Sequence, residues 1–427
     1  MALIAEHIIE QVREANDVVD VVSDYVQLKR SGRNFFGRCP FHNEKTPSFS
    51  VSPDKQIYHC FGCGAGGNVI NFIMEHERLD FLSSVKLLAD RANIHIETDP
   101  GEPRKKDDRA SIYNMHEIAA RVFERQLNDS SAKSAKDYLL NRGLAEETLK
   151  TFRVGFAPDS WDTVTLEVMK LGLSQDVLTR SGLLMPKNGG GYYDRFRNRI
   201  MFPIMDINGK VQAFGGRIFG EAEGAKYMNS PETPIYHKGR TLFGLNISRD
   251  EIRSSRTAIL VEGYMDLIRL YQEGFQNVVA GTGTAFTSEQ AGLVKRFADK
   301  VLVCYDGDTA GQKAAQKAGL TLLDKGLDVR IIQIPHGEDP DSFFDEKDAK
   351  EFQKLIGSAL DFMTFVLRAN QDQMDSPVKR TAFLEGMVSE LALMQNEILR
   401  GMLAGQLADE MHVPEEAVMG LLKRQSK

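Results

Sequence analysis

Four short apolar runs, near 257–262, 277–280, 300–305 and 328–334, are separated by helical stretches in the second half of this 427-residue chain. Strands that alternate with helices must run parallel, so this segment is expected to form an open, doubly wound parallel sheet. Sites in such sheets lie outside the carboxyl ends of the strands. Acidic residues stand there three times. Glu262 follows Leu260-Val261, Asp306-Gly307-Asp308 follows Val301–Tyr305, and Glu338-Asp339-Pro340-Asp341 follows Val329–Pro335. One Asp-Gly-Asp is usually a turn, and Asp308 could simply cap the helix expected near Thr309. Three acidic clusters after three strand-like runs favour a site. Gathered carboxylates repel one another unless a cation sits among them, and oxygen-only ligands suit Mg²⁺ or Mn²⁺. Metal-assisted phosphate chemistry is the leading expectation.

A second metal is expected near the N-terminus. Cys39-Pro40-Phe41-His42, seventeen residues, and Cys60-Phe61-Gly62-Cys63 make two knuckles whose Cys39, His42, Cys60 and Cys63 complete a tetrahedral zinc set. Four protein ligands leave no place for substrate, so one structural Zn²⁺ is expected. His59 lies outside the paired spacing and is the weaker ligand. Cys304, inside an apolar run, is assigned to the core. Phe41 and Phe61 are expected in the ribbon's small core, with Lys29, Arg30, Arg33 and Arg38 exposed for phosphate contact.

The net charge of −7 argues against a uniformly nucleic-acid-coating surface, but the charge is uneven. From Arg180 to Arg240 there are ten Lys or Arg against five Asp or Glu. Within that strip Arg195, Arg197 and Arg199 are two apart, which on a strand puts all three on one face. Such a row needs anionic partners, although a solvated face is the bland alternative. Gly281-Thr282-Gly283-Thr284 could hold phosphate, and no Gly-Lys-Ser/Thr loop of a nucleotide-driven motor occurs. No run of eighteen apolar residues and no signal peptide is present, so a cytoplasmic protein with no membrane partner is expected.

The Glu-Gly after one strand and Asp-x-Asp after a later one resemble the Toprim domain of DnaG-type primases, topoisomerases and some nucleases. In that family the Glu acts near the reacting oxygens and the aspartates hold metal. The resemblance therefore implies a catalytic Glu262, Asp306 and Asp308, with Asp266, Asp339 and Asp341 as neighbours. Cys39–Phe49 with Cys60–Gly64 resembles the zinc-binding domain of bacterial DnaG-type primases. Asp194–Ile204, Phe214-Gly215-Gly216-Arg217 and Lys226–Thr233 are similar to the RNA polymerase domain of that family.

The resemblance implies a DNA-dependent RNA polymerase making short primers on single-stranded DNA from NTPs, and holding an RNA–DNA hybrid. Template or nucleotide phosphates would be held by Arg142, Arg195, Arg197, Arg199, Arg217, Lys226 and Lys238, with Tyr227 and Asn229 nearby. The expected organisation is a zinc ribbon (1–96), a flexible linker (97–110), a mixed α+β basic subdomain (111–240), a Toprim sheet (241–355) and a helical bundle (356–427), acting as a monomer. The helicase-binding domain with which the family usually continues is expected to be mostly or wholly missing. Two rivals remain. A topoisomerase needs a nucleophilic tyrosine, and none here stands in a context that marks it; a zinc-ribbon protein that only binds DNA has no use for the acidic clusters.

Overall fold

A computed structural model describes residues 6–92, 94, 108–220, 224–283 and 285–425. The chain divides into two compact units, Met1–Lys106 and Asp107–Lys427.

The first unit is built on five antiparallel strands in sequential order: Lys29–Ser31, Asn34–Gly37, Phe49–Ser52, Ile57–Cys60 and Gly66–Gly67. Helices Val18–Ser23 and Val69–His76 pack on this sheet, Phe81–Arg91 packs on Val69–His76, and Val22, Phe49, Tyr58, Phe72 and Leu88 share one buried cluster. Each helix start is fixed by a side chain that accepts otherwise orphaned backbone N–H groups: Asp17, Asn68 and Asp80. Phe61 departs from expectation. It is 71% exposed, because Cys60 turns inward at the end of its strand and the next side chain turns out. Phe41 packs on Phe49, Tyr58 and Phe72.

The second unit begins with helix Asp108–Leu127. The last three residues of the span read as linker are thus helical, and residues 97–107 of that span lie outside the described ones. The helix packs on a four-stranded antiparallel sheet ordered Tyr227–Asn229, Val211–Ile218, Arg199–Met205, Gly155–Ala157. A second sheet has the order Val278–Ala280, Thr257–Val261, Lys300–Val303, Asp328–Ile331, Leu360–Asp361, parallel throughout except for the last strand. The strand that comes first in the chain, Thr257–Val261, lies between the second and the third. Connections leave its two sides in opposite directions, and this reversal opens a crevice at the carboxyl ends of Thr257–Val261 and Lys300–Val303.

The C-terminal helices Phe362–Ala369, Pro377–Ala392, Glu397–Met411 and Glu415–Gln425 do not form a separate body. Leu322, Phe362, Val388, Leu407 and Val418 share one buried cluster with Val301 and Val303 of the sheet. Ser376 caps the second of these helices and Pro377 occupies its first turn. Among the described residues no helix is long and apolar enough to cross a membrane.

Candidate active site

Glu262 leaves the strand Thr257–Val261 at the crevice, and Asp306 and Asp308 follow Lys300–Val303 on its other side. Gly307 explains the Asp-Gly-Asp spacing. Its backbone N–H donates to the Glu338 carbonyl at 3.0 Å, and a Cβ there would stand 2.2 Å from the Pro335 carbonyl oxygen. Only glycine lets the second acidic loop lie against the third. Asp308 does cap the helix Thr309–Asp324, its Oδ1 accepting from Gly311 N at 2.7 Å, and it remains exposed. The cap and the site are compatible readings of one carboxylate.

Deeper in, Asp266 Oδ2 accepts from Gly263 N at 3.0 Å and its Oδ1 from Asp341 N at 3.3 Å. Asp341 Oδ2 accepts from Arg142 Nη2 at 2.6 Å, while its buried Oδ1 has no hydrogen-bond partner among the described residues. Asp339 Oδ1 accepts from Ser342 N, holding the third loop in a turn.

Electrostatics mark the cluster. Glu262 has an exposed edge, yet desolvation and then the nearby Asp306 push its carboxyl up to about 7. Asp266, fully buried, is pushed up to about 8 by desolvation and then by Asp339 and Asp306. Asp306 rises to about 6 through desolvation and then Asp339 and Asp308, with Lys226 opposing. Carboxylates that resist ionising together suit a cation. Among the described residues these oxygens do not converge as tightly as the zinc ligands do. A hard cation that keeps several waters needs only one or two carboxylates as direct ligands. The unpartnered Asp341 Oδ1 fits such a group as well.

Glu262 opens onto a cavity of about 630 Å³ lined also by Gly281, Gly283, Phe286, Tyr305, Lys313 and Lys317. Lys313 and Lys317 were not anticipated, although their spacing after Asp308 places both on one helix face. Gly281 and Gly283 of the suspected phosphate loop line the cavity; Thr284 lies outside the described residues.

The basic residues are not a row. Residues 195–198 are irregular, and Asn198 takes a left-handed conformation (φ 47°) that breaks strand alternation. Arg199 is buried and donates to the carbonyls of Gly216 and Ala225. Arg195 is half-buried beside Met185 Sδ, and Arg197 lies over the Trp161 ring at 3.9 Å. Arg142 is tied to Asp341 and to the Tyr138 hydroxyl and is not a free phosphate ligand. Arg217 pairs across the strands with Tyr227, donating to its hydroxyl at 2.9 Å. Lys226 is exposed and its field reaches Asp306. Asn229 accepts from the Tyr264 hydroxyl and donates to the Thr282 carbonyl, so it joins the two sheets. The Lys238 backbone N–H donates to Glu232.

In the first unit the ligand atoms of Cys39, His42, Cys60 and Cys63 all lie within 4.8 Å of one another. Cys39 Sγ and Cys63 Sγ are 3.8 Å apart, too far for a disulfide. It is the separation of roughly 3.8 Å that two sulfurs take when each is about 2.3 Å from one tetrahedral zinc. His42 Nδ1 faces Cys60 Sγ, while Nε2 faces Glu44 Oε2 at 3.4 Å, an outer partner that orients the ring. Gly62 is required here, since a Cβ would meet His42 Nε2 at 2.7 Å. His59 stands outside this set, edge-on to Phe61.

Four family models match in order along the chain: a CHC2 zinc finger over residues 4–104, the N-terminal domain of the DNA primase catalytic core over 122–249, a Toprim-like domain over 259–344, and the DnaB-helicase binding domain of primase over 360–416. The last overturns the expectation that helicase-binding sequence is missing. Those helices carry no local motif beyond amphipathic spacing, which is common to most packed helices. A DNA primase of Listeria innocua is 40% identical over 439 residues, spanning 100% of this chain and 70% of that protein. The crystal structure of the Aquifex aeolicus primase zinc-binding and RNA polymerase domains matches with a TM-score of 0.65 and 34% identity, over 97% of this chain and 99% of that one. A DnaG primase catalytic domain bound to single-stranded DNA matches with a TM-score of 0.63 and 34% identity, over 73% of this chain and 99% of that one.

Proposed function

Since this chain belongs to the DnaG-type DNA primases, which make RNA primers on a DNA template, we propose that it joins nucleotides at Glu262, Asp306 and Asp308 in the crevice of its parallel sheet. The single observation that carries this placement is the meeting of three carboxylates across the point where strand order reverses, beside a cavity of about 630 Å³.

A divalent cation held by these carboxylates, Mg²⁺ or Mn²⁺, would offset phosphate charge and polarise the reacting oxygens. Glu262, beside Asp306 at the mouth of the crevice, would act either as the base that accepts the proton of the primer 3′ hydroxyl or as a further ligand of the cation. Lys226 beside Asp306, with Lys313 and Lys317 on the cavity wall, would orient the triphosphate. Arg217 and Lys238 would meet template or nucleotide phosphates. Arg142 acts differently: it fixes Asp341, and through it Asp266, in place.

The zinc set closes a structural site that holds the first unit together, leaving its exposed basic residues and Phe61 to single-stranded DNA. Residues 360–416 would dock a DnaB-type replicative helicase. The setting would be the cytoplasm and the working form a monomer.

The test is primer synthesis by the purified chain on single-stranded DNA with four NTPs and either Mg²⁺ or Mn²⁺. Wild type is expected to make short RNA, and Asp306→Asn and Glu262→Gln none. Synthesis near the wild-type level by both variants at limiting Mg²⁺ would place the chemistry elsewhere.

A further inference from the structure

We propose that Arg269 is a positioning residue for nucleotide joining: it clamps the third acidic loop to the helix that follows Glu262, and so sets the affinity of the crevice for a divalent cation. The proposal rests on reading the crevice as a cation site, and the test below separates the two.

The helix Tyr264–Gln272 starts two residues after Glu262 and carries Asp266 in its first turn. Residues three apart share a helix face, so Arg269 stands one turn beyond Asp266 on the same side. Both reach the third acidic loop. Asp266 Oδ1 accepts from Asp341 N at 3.3 Å, and Arg269 Nη2 donates to the Phe344 carbonyl at 2.7 Å, so one helix grips the loop at two points. A single contact would let the loop pivot; two fix its orientation.

Arg269 also closes a ring of contacts. Its Nη1 donates to the Arg142 carbonyl at 2.9 Å, the Arg142 side chain donates to Asp341 Oδ2 at 2.6 Å, and Phe344 N donates to the Asp341 carbonyl at 3.2 Å. The guanidinium thus holds Asp341 from two sides, through the backbone of the arginine that binds its carboxylate and through the turn that follows it. Gln272 strengthens the first side. It donates to the Gly143 carbonyl at 2.8 Å and accepts from Ala145 N at 2.7 Å, so the segment that carries Arg142 is itself tied to this helix.

Arg269 is buried, with Nε paired to Glu273 at 3.1 Å and the guanidinium 5.9 Å from the Phe344 ring centroid. A planar fork that meets two carbonyls at fixed angles is aimed at protein, which makes it a positioning group and not a phosphate ligand. Its effect falls on Asp341. Oδ1 of that carboxylate has no partner among the described residues, so the direction it faces depends on how firmly Oδ2 and the backbone are held. Groups that orient metal-binding carboxylates without touching the metal set its affinity over about 10- to 100-fold.

The full chain is titrated with Mn²⁺, the free ion being read by electron paramagnetic resonance, and Asp306→Asn identifies the site that belongs to the crevice. Arg269→Met, which keeps the length and apolar bulk of the side chain, should raise the dissociation constant of that site about 10- to 100-fold. Arg269→Lys should lose less, since one ammonium replaces the fork and keeps the charge. In an Asp341→Asn background Arg269→Met should add nothing, because residues that act through one another are not additive, whereas a general loosening of the fold would cost the same in either background. Denaturant melts establish that each variant is folded. Wild-type Mn²⁺ affinity in folded Arg269→Met, or an equal further loss in the Asp341→Asn background, overturns the clamp and leaves the cation site standing. Should the methionine variant fail to fold, unchanged affinity in Arg269→Lys overturns the clamp instead. Absence from the wild-type chain of any Mn²⁺ binding that Asp306→Asn removes overturns both.

Discussion

Arg142 Nη2 donates to Asp341 Oδ2 at 2.6 Å across 199 residues of sequence, tying the start of the second unit to the third acidic loop of its parallel sheet. Asp341 is nearly inaccessible while Arg142 is about one-quarter exposed, so the pair is neither a surface ornament nor a fully dry ion pair. Removing one partner of such a pair costs more than the pair itself contributes, because a buried charge is left alone. Arg142→Ala is expected to destabilise the chain by about 2–3 kcal/mol, discounted from a fully buried pair because of solvent at the guanidinium. Arg142→Ala with Asp341→Asn should recover part of that loss. Denaturant melts of the two variants check it; equal destabilisation of both would mean the charges do not interact.

Zinc removal should act on the first unit. Cys60 and His42 come from opposite knuckles, and their ligand atoms are 3.8 Å apart only because both knuckles fold toward one point. Elemental analysis is expected to find one zinc per chain. Cys60→Ser should lose it and make the first unit protease-sensitive, while the thermal transition of the second unit stays in place. Full zinc content in Cys60→Ser would remove this cysteine from the ligand set.

His116 gives a pH dependence that does not involve the site. It is wholly buried on the helix Asp108–Leu127, stacked on Phe214, with Nδ1 donating to the Ile112 carbonyl and Nε2 without a partner among the described residues. Desolvation lowers its pKa to about 4 from an unfolded value of 6.5. Between those values the unfolded state binds the extra proton. The contribution is therefore complete above pH 6.5 and is lost as pH falls toward 4, in total about 3 kcal/mol. His116→Phe should flatten the stability profile in that window relative to wild type. Parallel profiles for the two proteins would show that His116 does not titrate this way.

The parallel sheet and its carboxylates were legible in the sequence because a buried parallel strand must be an apolar run, and a charge just past its end has few structural uses. The zinc set was legible because knuckle spacing fixes which residues can meet. The arginine row was misread because period-two spacing implies one face only on a continuous strand, and the left-handed turn at Asn198 is a local choice that spacing does not encode. That turn sends Arg199 inward to backbone carbonyls and Arg197 onto Trp161. Phe61 was misread for a related reason: its composition says core, but its place after an inward-facing Cys60 says surface. The pairing of Arg142 with Asp341 is a tertiary fact with no local signal at all.

Asp308 offers the clearest separation of structure from chemistry. Its Oδ1 caps the helix Thr309–Asp324, a task that an asparagine oxygen performs equally well. Its charge, in contrast, faces Asp306 and Glu262, and both are raised in part by it. Asp308→Asn should therefore keep the cap and the stability while removing a charge that a cation needs, lowering primer synthesis by about 10²-fold or more, the scale on which single charge-stabilising groups act. Asp308→Ala should lose the same rate and, in addition, about 1 kcal/mol of stability from the missing cap. Melting curves and single-nucleotide incorporation on both variants read the two effects independently. Asp308→Asn with near wild-type incorporation would reduce Asp308 to a helix cap and leave the reaction to Glu262 and Asp306.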